Sequence, residues 1–183
     1  MAFPLRLLPI LALVVTAHAA AQGATPPAPP QAKMSAAECE VWSRELSFAK
    51  SVADHDAAAF AEHLHPDAAF GAGRPVPTRG RAAIAQEWSE LIAGKPIALR
   101  WYPDRTTIGG VATIASSSGP ALFEDLSPGA KTRYSMSRFN SIWAKGDDGV
   151  WRILFDDGTG ARPVTDAQAE AFKTAQPTTC PQA

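Results

Sequence analysis

The feature that most limits what this chain can fold into is a change of hydrophobic period near residue 97. Upstream, apolar residues recur at helical spacing; downstream they fall into strand-like runs at 97–108, 111–124, 132–144 and 150–156. Gly109-Gly110 and Asp147-Asp148-Gly149 stand between runs as hairpin turns. Helices that all precede a strand meander cannot wind a parallel sheet. The expected class is therefore α+β, with the helices packed on one face of an antiparallel sheet.

The upstream helices have legible ends. Ser35-Ala36-Ala37-Glu38 is a capping box, and Val41, Trp42, Leu46, Phe48, Ala49, Val52 and Ala53 follow at helical spacing, which predicts a helix over 36–53. Asp54-His55-Asp56 breaks it and caps a short second helix, with Phe60 and Leu64 on one face and Pro66 at its end. A strand begins at 68–70 and gives way to loop at Gly71, Gly73, Pro75 and Pro77. The third helix follows Gly80, buries Ile84, Trp88 and Leu91, and stops at Gly94 and Pro96. Beyond Gly160, Thr165 with Gln168 caps a short C-terminal helix. Five tryptophans in so small a domain imply large aromatic contacts, in the core or around a cavity.

The N-terminal segment is organised differently. Arg6, the apolar run at 7–15 and Ala17-His18-Ala19-Ala20-Ala21 have the order of a cleavable signal peptide, 1–21, too short to cross a bilayer. Residues 22–34 form a Pro-rich linker, and 35–183 remain as one domain, enough to bury a core. The expected location is periplasmic or secreted. Without Arg6 the mature chain has 16 basic against 18 acidic residues and no run of one sign, so neither nucleic acid nor a membrane is expected as a partner.

Cys39 and Cys180 stand near the two ends of the domain. In an oxidising compartment they are expected to pair, closing a loop worth about 4 to 5 kcal/mol in the chain-entropy account. The alternative is two free thiols, though neither lies in a Cys-x-x-Cys or Cys/His context.

The order of these elements, together with Asp56 opening the second helix, Leu64-His65-Pro66-Asp67-Ala68, Gly80-Arg81-x-x-Ile84 and Trp143 to Trp151-Arg152-Ile153 with Asp-Gly between, resembles the nuclear transport factor 2-like superfamily and its SnoaL-like group. The resemblance implies a cystatin-like α+β roll, a cone-shaped, curved antiparallel sheet wrapped around three helices. It also implies an apolar cavity and, often, a homodimer through the outer sheet face. Steroid isomerases of the superfamily need a carboxylate, a tyrosine and a protonated aspartic acid, which align with Ala72, Phe48 and Asn140. All three groups are missing, so that mechanism is not expected here.

Strand alternation on this fold predicts Arg138, Asn140 and Ile142 inward on one strand and Leu154 and Asp156 inward on the next. Phe48 and Val52 from the first helix and Trp88 from the third complete the expected lining, and Trp101-Tyr102 with Trp42 forms a candidate aromatic wall. Asp156 is the candidate acid or base, opposed or paired by Arg138; a structural ion pair closing the cone is the alternative. His55, His63 and His65 lack metal-ligand spacing, and neither metal nor cofactor is expected. Asp156-Asp157-Gly158-Thr159-Gly160 lacks the ligand spacing of a calcium loop. The expected function is binding of a small apolar or aromatic molecule. A cofactor-independent lyase, isomerase or hydrolase and a protein-binding structural module are the alternatives.

Overall fold

Ser35 caps the first helix as its sequence predicts: its hydroxyl accepts the Glu38 N–H at 3.2 Å, and Glu38 Oε2 accepts the Ser35 N–H at 2.8 Å. The computed structural model describes residues 33–181; the signal peptide 1–21 and all but the last two residues of the linker 22–34 lie outside the described residues. In chain order the elements are α1 (Ala36–Ala53), α2 (Ala57–Glu62), β1 (Leu64–Phe70), β2 (Thr78–Arg79), α3 (Arg81–Glu87) and α4 (Ser89–Ile92). They continue as β3 (Ile97–Trp101), β4 (Arg105–Ile108), β5 (Ile114–Asp125), β6 (Tyr134–Lys145), β7 (Trp151–Gly158), β8 (Arg162–Pro163) and α5 (Asp166–Thr174).

The sheet runs β2-β1-β7-β6-β5-β3, with β4 also on β5 and β8 also on β6. Among the described strands, the one departure from antiparallel pairing is β1 beside β7, which run parallel. The run at 97–108 forms two strands rather than one. Pro103 cannot donate to a ladder, so the chain breaks at Tyr102-Pro103-Asp104 and resumes on the same partner, Trp101 opposite Ala121 and Arg105 opposite Ser118. Gly119 faces that break. A Cβ there would stand 2.0 Å from the Tyr102 carbonyl oxygen, so no larger residue fits.

The helices fill the concave face. Phe48 of α1 sits at the centre of the core, its ring 5.1 Å from both Phe60 and Trp101 and 6.3 Å from Trp143. On the opposite face, α5 lies against the sheet through Phe172, 4.8 Å from the Tyr102 ring, in a cluster with Leu122, Tyr134 and Ala169. From there the tail returns to α1, where Cys180 and Cys39 form a disulfide with Cα atoms 5.4 Å apart.

The register corrects the predicted inward set on β6. Phe139, Ser141 and Trp143 are buried, while Arg138 and Asn140 are exposed and Ile142 lies on their side of the strand. Burying two aromatic rings outweighs burying one isoleucine, and it leaves the guanidinium and the amide in water. On β7, Ile142 pairs with Phe155 but Trp143 pairs with Ile153, so Leu154 is a bulged extra residue. The bulge resets the alternation. Ile153 faces the core, Phe155 is 41% exposed, and Asp156 faces inward again beside Ser141.

Candidate functional site

A cavity of about 160 Å³ opens between α1, the end of α3 and the concave sheet, walled by Phe48, Phe70, Trp88, Leu99, Trp101 and Phe139. A dry apolar cavity of about 150 Å³ holds one benzene ring, so this space fits a single ring. Asp156 is the carboxyl in its wall, and Gly71, Arg74, Asp157 and Gly158 line its rim. Arg74 folds over Gly71 and bonds Glu87 at 2.9 Å, while Asp157 accepts the amides of Gly73 at 2.6 Å and Gly158 at 2.8 Å. The mouth is thus bordered by a loop tied at two points.

One row of polar side chains crosses the otherwise apolar concave face. Thr106, Ser117, Ser141 and Asp156 are successive neighbours across β4, β5, β6 and β7. Ser141 Oγ donates to Asp156 Oδ2 at 2.8 Å. The buried hydroxyls of Thr106 and Ser117 have no hydrogen-bond partner among the described residues.

Glu45 of α1, fully buried, comes down onto this row. Trp101 Nε1 donates to its Oε1 at 2.8 Å and Trp143 Nε1 to its Oε2 at 2.9 Å. The hydroxyls of Ser117 and Ser141 stand beside the same carboxyl, Ser117 without the geometry of a hydrogen bond. Burial pushes the Glu45 pKa up, and the indole and hydroxyl donors oppose the shift. Asp156 is pushed well above the usual carboxylate range, first by burial and then by the charges of Glu45 and Asp157, with Ser141 opposing. Two carboxyls this close in apolar surroundings do not both ionise readily.

The structure brings together some of the predicted residues and separates others. Phe48, Trp88, Trp101 and Asp156 line the cavity. Val52 is core without lining it, and Leu154 occupies the bulge. Asn140 is exposed, and Ala72 lies in the loop after β1. Arg138 reaches the cavity wall but turns its guanidinium to Asp104, at 2.7 and 2.8 Å, so the expected Asp156–Arg138 pair does not form. Tyr102, next to Trp101, points to the other face and packs on Phe172, which divides the proposed aromatic wall; Trp42 is buried apart from the cavity. The three histidines have separate partners: His55 with the Ile92 carbonyl, His63 with Ser47 and the Ala59 carbonyl, His65 with the Asp67 amide.

Glu45 and Ser141 escaped the sequence reading. Glu45 carried a signal, since it falls four residues after Val41 and three before Phe48, on the buried stripe of α1, where an unpaired carboxylate would be costly.

No protein-family model and no curated protein matches the sequence. Solved structures do resemble the fold. An NTF2-like protein of unknown function from Pseudomonas putida KT2440 superposes with a TM-score of 0.56 at 14% identity, over 74% of this chain and 98% of that one. A ketosteroid isomerase-like protein from Erwinia carotovora atroseptica SCRI1043 gives 0.56 at 12% identity, over 68% and 96%. An NTF2-like protein with a cystatin-like fold from Novosphingobium aromaticivorans gives 0.52 at 21% identity, over 75% and 87%. Identities this low speak to the fold alone.

Proposed function

We propose, with the NTF2-like, cystatin-like fold as the premise, that this chain binds one small apolar or aromatic molecule in its cavity, with Asp156 as the polar anchor. The observation that carries this reading is the cavity itself: aromatic walls, room for a single ring, and one inward carboxyl. Four fused rings would exceed that space, and the groups a steroid isomerase needs are absent at Ala72, Phe48 and Asn140. Export belongs to the same proposal. It rests on the leader pattern at 1–21 and on the Cys39–Cys180 disulfide, which is consistent with an oxidising compartment.

Native mass spectrometry of the protein purified from its own host without reductant tests this directly. A retained one-ring molecule that is lost in Trp88→Ala supports the reading. An empty protein that also fails to bind a panel of one-ring compounds removes it.

A second reading is acid-base catalysis on such a molecule. It is favoured by the Glu45–Asp156 proximity, because an acid kept neutral in an apolar site is suited to proton transfer. Asp156→Asn distinguishes the two: turnover lost with binding kept marks an enzyme, whereas a change in binding alone marks a carrier. Homodimerisation through the outer sheet face is a further proposal, supported by Phe155 and Ile114 exposed there. Light scattering on wild type and Phe155→Asp checks it, with a monomer in both sinking the idea.

A further inference from the structure

We propose that the cavity selects an uncharged one-ring compound bearing a hydrogen-bond-accepting oxygen, because Glu45 holds a buried negative charge beside the cavity and Asp156 presents an acidic proton to it. This rests on the pocket reading above and names the ligand class for that same site.

The assignment of charge follows from donor geometry. An indole N–H only donates, and two of them meet the two different oxygens of Glu45, at 2.8 and 2.9 Å. A carboxylate accepts at both oxygens equally, whereas an acid spends one oxygen on its own proton. Trp101 and Trp143 are 4% and 0% exposed, so neither ring is free to turn its donor elsewhere. Among the described residues, the Asp156 carboxyl has a single donor, Ser141, on Oδ2. No described residue donates to its other oxygen. With one serine between the two carboxyls, the proton stays on the one with fewer donors, and burial together with the Glu45 charge reinforces that choice.

Among the described residues, the cations that line the cavity are already paired and do not reverse the balance. Arg74 at the rim is paired with Glu87, Arg138 with Asp104, and Asp157 adds negative charge while holding the Gly73 and Gly158 amides. An anionic ligand would meet the field of Glu45 with no counter-charge. A ligand oxygen with a free lone pair would instead accept the Asp156 O–H.

Three matched probes test this at neutral pH: acetophenone, benzoate and toluene, titrated into the intact disulfide-bonded protein and followed through the indole N–H resonances of Trp88 and Trp101. The expected order is acetophenone tighter than toluene by about tenfold or more, with benzoate weaker than toluene. In Glu45→Gln, benzoate should rise to match or pass toluene. Should that variant fail to fold, Asp156→Ala serves instead, and there acetophenone should lose its advantage over toluene. Benzoate binding best to wild type, or acetophenone binding no better than toluene, overturns the inference while leaving the pocket reading in place. If none of the three binds, the pocket reading fails and the inference with it.

Discussion

Ser141 lies directly across the β6–β7 ladder from Asp156, and its hydroxyl donates to the Asp156 carboxyl at 2.8 Å. The bond favours the ionised form against burial. Ser141→Ala should therefore raise the Asp156 pKa further and lower stability by about 1 kcal/mol. Carbon NMR titration of the Asp156 carboxyl and urea denaturation check the two parts; a lowered pKa would contradict this account of the pair.

Two buried groups should contribute to the pH dependence of stability in opposite senses. His63 is buried between Ala59 and Ser47, and burial lowers its pKa from 6.5 to about 4. Below about pH 6.5 the unfolded chain binds a proton that the folded chain refuses, so stability falls as pH drops to about 4, by about 3 kcal/mol in all. Asp156 acts in the opposite sense. Its raised pKa means the folded chain keeps a proton the unfolded chain releases, so its contribution is whole below the ordinary carboxylate range and is lost as pH rises through the folded value. Denaturation curves across pH should show His63→Asn losing less stability than wild type as pH drops from about 6.5 to about 4, and Asp156→Asn losing less than wild type as pH rises above the ordinary carboxylate range. Slopes unchanged from wild type in both variants would assign the dependence elsewhere.

Gly119→Ala should cost at least about 2 kcal/mol. The added methyl would meet the Tyr102 carbonyl oxygen at 2.0 Å and the Asp104 nitrogen at 3.0 Å, both backbone atoms that move only with the strand. Thermal melts measure the loss, and hydrogen exchange should place it at the β3–β4 break. A neutral substitution would mean that the break is soft.

Cys180→Ser should lose about 5 kcal/mol, since the Cys39–Cys180 bond spans 141 residues. Guanidinium titrations of wild type with and without reductant should reproduce the same difference. Equal stability in both states would show that packing of Phe172 on Tyr102 already holds the tail.

Much of this architecture was legible because local chemistry and global packing agree. The Ser35 and Thr165 capping boxes marked helix starts that tertiary contacts do not shift. The site was less legible, for two reasons. Counting by twos put Arg138 and Asn140 inside, when the aromatic weight of Phe139 and Trp143 was the better guide to the β6 parity. The bulge at Leu154 has no local sequence mark; it exists because β7 must bury both Trp151 and Ile153 and still return Asp156 to the concave face. Glu45 was hidden by its chemistry, since its two donors arrive from strands 56 and 98 residues away.

The disulfide near both ends of the domain also changes what a cut would mean. A protease that nicks the exposed turn at Asp147-Asp148-Gly149 would divide the peptide chain, yet Cys39 and Cys180 would keep the two fragments as one molecule. Such a clipped protein would run as a single species until reduced. In a protease-rich setting, damage to that turn would leave the fragments tethered and able to re-pair their strands.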